Sequence, residues 1–357
     1  MKKIGLLLIN LGSPDAPTPK AVGRYLREFL MDEFVIDLPK PLRWLLVNLL
    51  IVPRRRYASA KLYQNVWTEN GSPLLVHSRN LAAALKGALS EQFVIEVGMR
   101  YGNPSIGAAL ERLCAAGAER IVALPLYPQY AESSYETAVR ALRVAAQEQG
   151  CLDRLELLPP FYDQPGFINA CVTRLREYLA QEQPEHLIFS YHSLPVRHLK
   201  RLDASRQHCL QRDDCCAQIS GVNQNCYRAH CVYTTQAIAN ALHLSPADYS
   251  LAFQSRLGRQ EWLGPQTNDV LSELAQRGIK HVAVSCPSFT ADCLETLEEI
   301  SLRANEVFLA AGGEKLTLVP ALNDHPVWVR ALAHWIEASV NCERQALDDK
   351  QARAIRG

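Results

Sequence analysis

The feature that most constrains the fold is a regular alternation of short apolar segments with longer stretches of helical periodicity. Each apolar segment is nearly continuous in hydrophobic side chains and is bounded by Gly, Pro or polar residues. Strands of this kind are buried on both faces, and they form parallel sheets that helices cover. The alternation therefore predicts an α/β fold with doubly wound parallel sheets. The eight predicted strands are residues 5–11, 94–99, 121–127, 155–158, 187–191, 249–253, 282–286 and 316–319.

Several blocks of the first half recur in the second half in the same order. Residues 155–167 (LELLPPFYDQPGF) match residues 316–328 (LTLVPALNDHPVW) at a spacing of 161 residues. A duplicated unit of this length predicts two similar α/β halves. We expect an N-terminal half at 1–175, a C-terminal half at 176–340 and a polar tail at 341–357. Two further matches pair residues 128–137 with 287–296 and residues 6–14 with 187–195.

Composition excludes several classes of protein. The chain has 357 residues, 48% of them apolar, with 38 Lys and Arg against 37 Asp and Glu. Disorder requires fewer apolar residues and a larger net charge, and a nucleic-acid-binding surface requires an excess of positive charge. The apolar stretch at residues 4–9 is shorter than the core of a signal peptide. We therefore expect a cytoplasmic protein with reduced cysteines, and no nucleic-acid partner.

The longest apolar stretch, residues 42–52 (LRWLLVNLLIV), is too short to span a bilayer, which takes about 20 residues. One interpretation is a core helix. The alternative is an apolar lip beside a pocket or on a membrane surface, which would place peripheral membrane contact at residues 29–56.

Aligning the two halves indicates where the chemistry lies. His192 falls opposite Leu11, and Glu295 falls opposite Glu136. Both His192 and Glu295 follow the carboxyl end of a predicted strand, where open α/β sheets bind their ligands. The second half is therefore predicted to contribute a His and a Glu to a cleft shared by the two halves.

Glu295 belongs to a row of three carboxylates. Asp292, Glu295 and Glu299 are spaced i, i+3 and i+7, which predicts one face of a helix. One interpretation is a solvated helix start, where acidic residues favour the helix dipole. The other is a relay that carries protons or attracts a divalent cation, because carboxylate oxygens suit both tasks.

Residues 203–231 contain five of the eleven cysteines: Cys209, Cys215, Cys216, Cys226 and Cys231. Clustered thiols in a reducing compartment indicate a metal site, either zinc or an iron–sulfur cluster. No C-x2-C pair of a zinc ribbon is present. Four of the five could ligate, and the adjacent Cys215 and Cys216 leave the choice open.

Long motifs resemble those of the ferrochelatase family, from about residue 4 to residue 337. They are NLGSP (10–14), GSP (71–73), MRY (99–101), YPQY (127–130), SYHSLP (190–195), FQSRLGRQEWLGPQT (253–267) and FTADCLETLEEI (289–300). The resemblance implies two Rossmann-like halves and insertion of Fe²⁺ into protoporphyrin IX to form haem, with no nucleotide cofactor. It also implies a catalytic His192 and Glu295, which would meet the Fe²⁺ substrate, with Asp292 and Glu299 as relay. The implied substrate-binding residues are Leu11, Ser72, Tyr130 and Trp262, with residues 54–56 near the propionates.

The resemblance has further implications. Some ferrochelatases hold a [2Fe–2S] cluster in an internal Cys-rich segment, which favours that cluster over zinc in residues 203–231. We expect the cluster to lie off the chemistry, since the segment donates no recognisable catalytic residue. Leu11 stands where coproporphyrin-specific relatives have Tyr, which favours protoporphyrin. Cys293 replaces a His of many relatives, and Arg303 stands where some continue the acidic row.

Two alternatives to this function remain open at the level of sequence. One is a chelatase for coproporphyrin or for another metal. The other is a non-catalytic porphyrin or iron sensor that uses the Cys cluster. The presence of both His192 and Glu295 favours the enzyme.

Overall fold

The computed structural model describes residues 3–256 and 260–355, with the side chains of the last helix to residue 341. Residues 257–259 of the motif at 253–267 lie outside the described residues. All eight predicted strands are confirmed. The strands are β1 Lys3–Ser13, β2 Phe93–Gly102, β3 Ala118–Pro125, β4 Leu155–Leu157, β5 His186–His192, β6 Tyr249–Gln254, β7 His281–Ser285 and β8 Lys315–Leu318.

The strands form two parallel sheets with the same internal order. The first sheet is ordered β2-β1-β3-β4, and the second is ordered β6-β5-β7-β8. Pairing is in register at the centre of each sheet, with Leu8 opposite Val97 and Phe189 opposite Leu251. The predicted α/β class with two similar halves is therefore confirmed.

Thirteen α-helices are present in the described residues, and short π-helical stretches adjoin several of them at 46–51, 132–136 and 299–304. The helices of the first half are α1 Pro19–Leu30, α2 Lys40–Leu45, α3 Val52–Val66, α4 Pro73–Ala88, α5 Ile106–Ala115, α6 Thr137–Glu148 and α7 Pro165–Glu182. Those of the second half are α8 Val196–Leu202, α9 Tyr227–Ala241, α10 Thr267–Gln276, α11 Leu294–Leu297, α12 Asn305–Ala310 and α13 Pro326–Ile355.

Equivalent helices begin 161 residues apart, the spacing of the sequence repeat. α5 and α10 begin at Ile106 and Thr267, and α7 and α13 begin at Pro165 and Pro326. Proline suits a first helical position because its missing N–H would have no partner there and its φ angle is already helical. The same local signal thus starts the same helix in both halves.

The two halves share a hydrophobic core. Alternate residues of β1 point to opposite faces of the sheet, as strand geometry requires. Leu6 and Leu8 join a cluster that also contains Phe189 and Tyr191 of β5, whereas Leu7 packs into a separate cluster of the first half. The predicted division near residue 175 falls within α7, and residues 183–185 connect α7 to β5. The division into domains stays a prediction, and α13 continues into the predicted tail.

Residues 31–66 lie between α1 and α4, and we call residues 38–51 the apolar lip. Its outer face is exposed: Leu49 is 64% exposed, Leu42 56% and Trp44 50%. Its inner face packs Val47 against Leu30 of α1. The interpretation as a core helix is therefore wrong, because only one face is covered. Among the described helices, none combines the length and apolar character needed to cross a bilayer.

The Cys-rich segment occupies the corresponding place in the second half, between β5 and β6. Residues 203–226 are irregular and join α8 to α9. The Asp203 carboxylate accepts hydrogen bonds from the backbone N–H groups of Ser205, His208 and Cys209, at 2.8 to 3.0 Å. Hydrogen bonds from Ser205 and this backbone hold the pKa of Asp203 well below its usual range. The loop therefore has a defined starting turn.

Candidate active site

A cavity of about 610 Å³ opens at the carboxyl ends of the strands, with walls from both halves. This is the edge at which open α/β sheets place their ligand sites. The volume lies within the range of small-molecule pockets. The strand ends contribute residues 10–13 of β1, 126–129 after β3, 192, 194 and 195 at the end of β5, 255 after β6 and 288–291 after β7.

The structure brings most of the predicted site residues to this cavity. His192 and Glu295 both line it, although they are about a hundred residues apart in sequence. The predicted substrate contacts that line it are Leu11, Ser72 and Trp262. Arg55 lines it too, whereas Arg54 and Arg56 do not.

Tyr130 is not among the cavity-lining residues, and its predicted substrate contact stays a prediction. Its hydroxyl donates to Glu136 at 3.3 Å, and its ring packs against Tyr135. Tyr127 lines the cavity instead. The motif YPQY has a Tyr at each end, and only the path of the chain after β3 decides which of them faces the cleft.

His192 is the last residue of β5 and is half-buried. Its Nδ1 lies 2.6 Å from the carbonyl oxygen of Ser193. A carbonyl oxygen can only accept a hydrogen bond, so Nδ1 carries the proton in the neutral ring. Nε2 is then the ring nitrogen that can accept a proton or coordinate a metal ion. The ring also meets the edge of Phe289, with centroids 6.5 Å apart.

Glu295 lies in the first turn of α11, close to three weakly acidic groups of the wall. Burial raises the pKa values of Tyr25 and Tyr63 well above the usual value, and Glu295 adds to the effect. Burial and Glu295 likewise raise the pKa of Cys293. All three groups stay neutral near pH 7, so Glu295 is the acidic residue among the described lining residues.

Asp292 does not share a helix face with Glu295, so that prediction is wrong. The helix α11 begins at Leu294, and Asp292 lies before it. The buried Asp292 carboxylate accepts hydrogen bonds from Thr296 at 2.9 Å, from Asn323 at 2.8 Å and from the backbone N–H of Ala321 at 3.2 Å. These bonds anchor the start of α11 to the loop after β8.

Glu299 lies one layer behind the cavity wall. Its carboxylate accepts a hydrogen bond of 2.5 Å from Ser255, which lines the cavity. The side-chain amide of Gln254 donates to the backbone oxygen of Glu295 at 2.7 Å and lies 3.5 Å from the Glu299 carboxylate. The Gln254 side chain thus links the backbone of Glu295 to the carboxylate of Glu299.

Arg303 pairs with a different acid. Its Nε donates to the carboxylate of Glu298 at 2.7 Å, and the Glu298 side chain is only 2% exposed. Arg303 therefore compensates the buried charge of Glu298, which lies beside the acidic row. A buried carboxylate is costly to leave unpaired.

Four of the five clustered cysteines are in mutual contact. The Sγ atoms of Cys215 and Cys216 are 3.7 Å apart, and the Cys226 thiol is hydrogen-bonded to those of Cys209 and Cys216. Cys231 is buried in α9, where its thiol contacts Tyr227.

A second cavity, of about 300 Å³, is lined by Cys209, Cys215 and Cys226. No group of three or more His, Cys, Asp or Glu side chains has the arrangement of a metal site within the described residues. The donor type nevertheless suits a thiolate-ligated group, because three of these thiols line open space and thiolates are the ligands of iron–sulfur clusters.

Tyr227 is a site residue that the sequence reasoning missed. It belongs to the Cys-rich segment, directly follows Cys226 and lines the first cavity. The Cys-rich segment therefore contributes to the cavity wall, and the position of a cluster off the chemistry stays a prediction. A tyrosine next to a cysteine has no periodicity or spacing that separates it from an ordinary core residue, so no sequence signal could have identified it.

Relatives with curated names cover nearly the whole chain. The chain is 46% identical over 340 residues to the Ferrochelatase of Coxiella burnetii (strain Dugway 5J108-111), which covers 95% of this chain and 94% of the relative. It is 48% identical over 340 residues to the Ferrochelatase of Ectopseudomonas mendocina, with 95% and 97% covered. It is 45% identical over 338 residues to that of Bdellovibrio bacteriovorus, with 95% and 100% covered.

Solved structures agree on the fold. SirB from Bacillus subtilis with Fe³⁺ superposes with a TM-score of 0.52 at 15% identity, and the match covers 96% of this chain and 98% of that one. The family model described as Ferrochelatase matches residues 3–340. The chain belongs to the ferrochelatase family, as the motifs around His192 and Glu295 predict.

Proposed function

We propose that this chain inserts Fe²⁺ into protoporphyrin IX in the cleft between its halves, with His192 and Glu295 as the catalytic residues. The observation that carries the proposal is the convergence of these two side chains on one cavity, with Nδ1 of His192 engaged and Nε2 left as the basic nitrogen. A sensor has no need for a base and a carboxylate at the same cavity, so the enzyme is favoured.

Metal insertion requires removal of two pyrrole protons and of the water that surrounds the Fe²⁺ substrate. Nε2 of His192 is the ring nitrogen that can accept a proton. Glu295 attracts the cation and can pass protons outward. The Gln254 side chain links the backbone of Glu295 to the carboxylate of Glu299, and Ser255 joins Glu299 to the cavity wall.

The remaining walls suit a flat apolar macrocycle. Leu11 and Trp262 provide apolar contact, and Arg55 and Arg197 supply positive charge that matches the carboxylates of porphyrin propionates. Binding at the edges of the ring can be used to bend it, at a cost of about 1–5 kcal/mol, so that the nitrogen lone pairs face the metal. Leu11 favours protoporphyrin over coproporphyrin.

The direct test is an anaerobic assay of the purified protein with Fe²⁺ and protoporphyrin, in which metal insertion quenches porphyrin fluorescence. We expect turnover. Coproporphyrin, and Co²⁺ or Ni²⁺ in place of Fe²⁺, are run in parallel and should give lower kcat/KM. Porphyrin binding without turnover for any metal would instead establish the sensor, and faster turnover of coproporphyrin would overturn the assignment of substrate.

We further propose that Cys209, Cys215, Cys216 and Cys226 hold a [2Fe–2S] cluster. The contacts among their thiols and the adjoining cavity support this set over any that includes Cys231. Arg228 supports it too, since its guanidinium lies 3.1 Å from the Cys216 sulfur and favours thiolates. When bound, such a cluster would supply a covalent cross-link among these residues.

Iron and acid-labile sulfide analysis of protein purified without oxygen tests the cluster. We expect two of each per chain in the wild type and in Cys231→Ser, and neither in Cys226→Ser. Cys231→Ser is the matched control because its thiol is also buried but has Tyr227 as its partner. About one zinc and no sulfide would replace the cluster with a zinc site, and neither metal would leave free thiols.

Finally, we propose that the apolar lip rests on an anionic lipid surface at the cytoplasmic face of a membrane. Leu42, Trp44 and Leu49 are exposed there, and the exposed Lys40 and Arg54 flank them. Apolar side chains beside basic ones are the pattern of interfacial helices.

Co-sedimentation with phosphatidylglycerol vesicles tests the membrane contact. We expect the wild type to bind and the double variant Leu42→Ser, Leu49→Ser to lose most of the binding. The matched control is Leu152→Ser, Leu309→Ser, because these leucines are also exposed but lie outside the lip. Equal loss in both double variants, or no binding by the wild type, would overturn the proposal.

A further inference from the structure

The Cys-rich segment reaches the catalytic histidine through one tyrosine. The hydroxyl of Tyr227 donates to the backbone carbonyl oxygen of His192 at 2.9 Å. Tyr227 is only 6% exposed, and it lies in the first turn of α9, directly after Cys226. Its ring forms part of the wall of the active-site cavity.

A serine completes the contact on the other side of the same residue. The backbone N–H of His192 donates to the Ser288 hydroxyl at 3.3 Å, and Ser288 also lines the cavity. Tyr227 and Ser288 thus bond the two polar groups of the His192 backbone, its carbonyl oxygen and its N–H.

These two hydrogen bonds hold the backbone of His192 at both its N–H and its carbonyl oxygen. His192 is the last residue of β5, and the N–H of Ser193 after it still donates to the carbonyl oxygen of Gln254 in β6 at 2.7 Å. The ring nitrogen Nδ1 is bonded to the next carbonyl, that of Ser193, so the orientation of the backbone here also sets the orientation of the imidazole. A misplacement of about 1 Å at a catalytic group can cost about 100-fold in rate.

We propose that Tyr227 is a positioning residue that holds His192 in its reactive orientation and thereby joins the Cys-rich segment to the chemistry. The inference rests on the proposed function, because it takes His192 as the catalytic base. Tyr227 acts through the backbone of His192, so it affects the rate of insertion more than the affinity for porphyrin.

The test compares Tyr227→Phe with Tyr191→Phe in the full-length protein under anaerobic conditions. Each change removes one buried hydroxyl and keeps the ring. Tyr191 adjoins His192 in sequence, but its hydroxyl bonds Thr235 at 2.8 Å and its side chain lies outside the cavity wall. We expect kcat to fall about 10-fold in Tyr227→Phe, with KM for protoporphyrin unchanged, and kcat to stay within about twofold in Tyr191→Phe.

A second variant, Ser288→Ala, removes the other hydrogen bond to the His192 backbone. We expect the double variant Tyr227→Phe, Ser288→Ala to lose more kcat than either single variant, because the two hydrogen bonds hold different backbone groups of His192. If Tyr227→Phe behaves like Tyr191→Phe in an active enzyme, the inference falls and the proposed function stands. If KM rises as much as kcat falls, Tyr227 is a porphyrin contact and not a positioning residue. If the wild type shows no turnover, the inference about Tyr227 and the proposed function are both wrong.

Discussion

The two halves of the molecule have the same sheet order, yet they present different residues to the cleft. At the end of the first strand, the N-terminal half places Leu11 and the C-terminal half places His192. The repeat also aligns Glu136 with Glu295, but Glu136 accepts a hydrogen bond from Tyr130 and does not line the cavity. A duplicated backbone therefore supplies two equivalent positions, and the side chain and its packing decide which one carries chemistry.

The halves differ again in the segment between their first two strands. The N-terminal half places the apolar lip there, and the C-terminal half places the Cys-rich segment. Both segments reach the cavity, the lip through Leu38 and Leu46 and the Cys-rich segment through Tyr227. Insertions at the same point of a repeated unit thus complete one site from opposite sides.

The largest effect is expected where the contrast between the halves is greatest. His192→Ala should lower kcat about 100-fold or more, because the base at the end of β5 is lost while the apolar walls remain. Steady-state kinetics and porphyrin binding by fluorescence measure the two effects separately. Retention of more than about a tenth of the wild-type kcat would contradict the assigned role of His192.

The same substitution at the two aligned glutamates tests the comparison directly. Glu295→Gln should lower kcat about 100-fold, since it removes the acidic charge of the described cavity wall. Glu136→Gln is the matched control and should change kcat less than about threefold, because it alters one hydrogen bond outside the cavity. Similar losses of kcat in the two variants would show that both glutamates, and so both halves, take part in the reaction.

A smaller effect is expected at Glu299, one layer behind the wall. Glu299→Gln should lower kcat/KM for Fe²⁺ about 10-fold, through slower proton exit or weaker capture of the cation. Assays over a range of Fe²⁺ concentrations measure it. If Glu299→Gln lowers kcat as much as Glu295→Gln does, the prediction that the effect declines from Glu295 outward to Glu299 is wrong.

The smallest effect on activity is expected at Asp292, which the helix spacing had placed in the relay. Asp292→Asn should destabilise the protein by about 1–3 kcal/mol, because the buried carboxylate accepts three hydrogen bonds. Denaturant unfolding measures this loss, and kcat of the folded fraction should stay within about threefold. A loss of kcat without a loss of stability would return Asp292 to the relay.

Much of this protein was determined by the sequence itself. The eight strands follow from continuous apolar segments, because burial on both faces leaves no alternation with polar residues. His192 follows from the repeat, because it stands where the other half has Leu11, and Glu295 follows from its place after the carboxyl end of a predicted strand. The family follows from long motifs such as residues 190–195 and 289–300. These signals are local or are repeated along the chain, so they can be recognised without knowing the tertiary contacts.

Only the tertiary structure decided the remaining contacts. Sequence could not show that Leu49 is exposed, that Tyr127 and not Tyr130 faces the cleft, or that α11 starts after Asp292. It also could not show that Tyr227 meets His192. Periodicity specifies which face of an element is apolar, but not whether another element covers that face. Whether an apolar face is covered depends on segments that are distant in sequence, and the local pattern of residues contains no information about them.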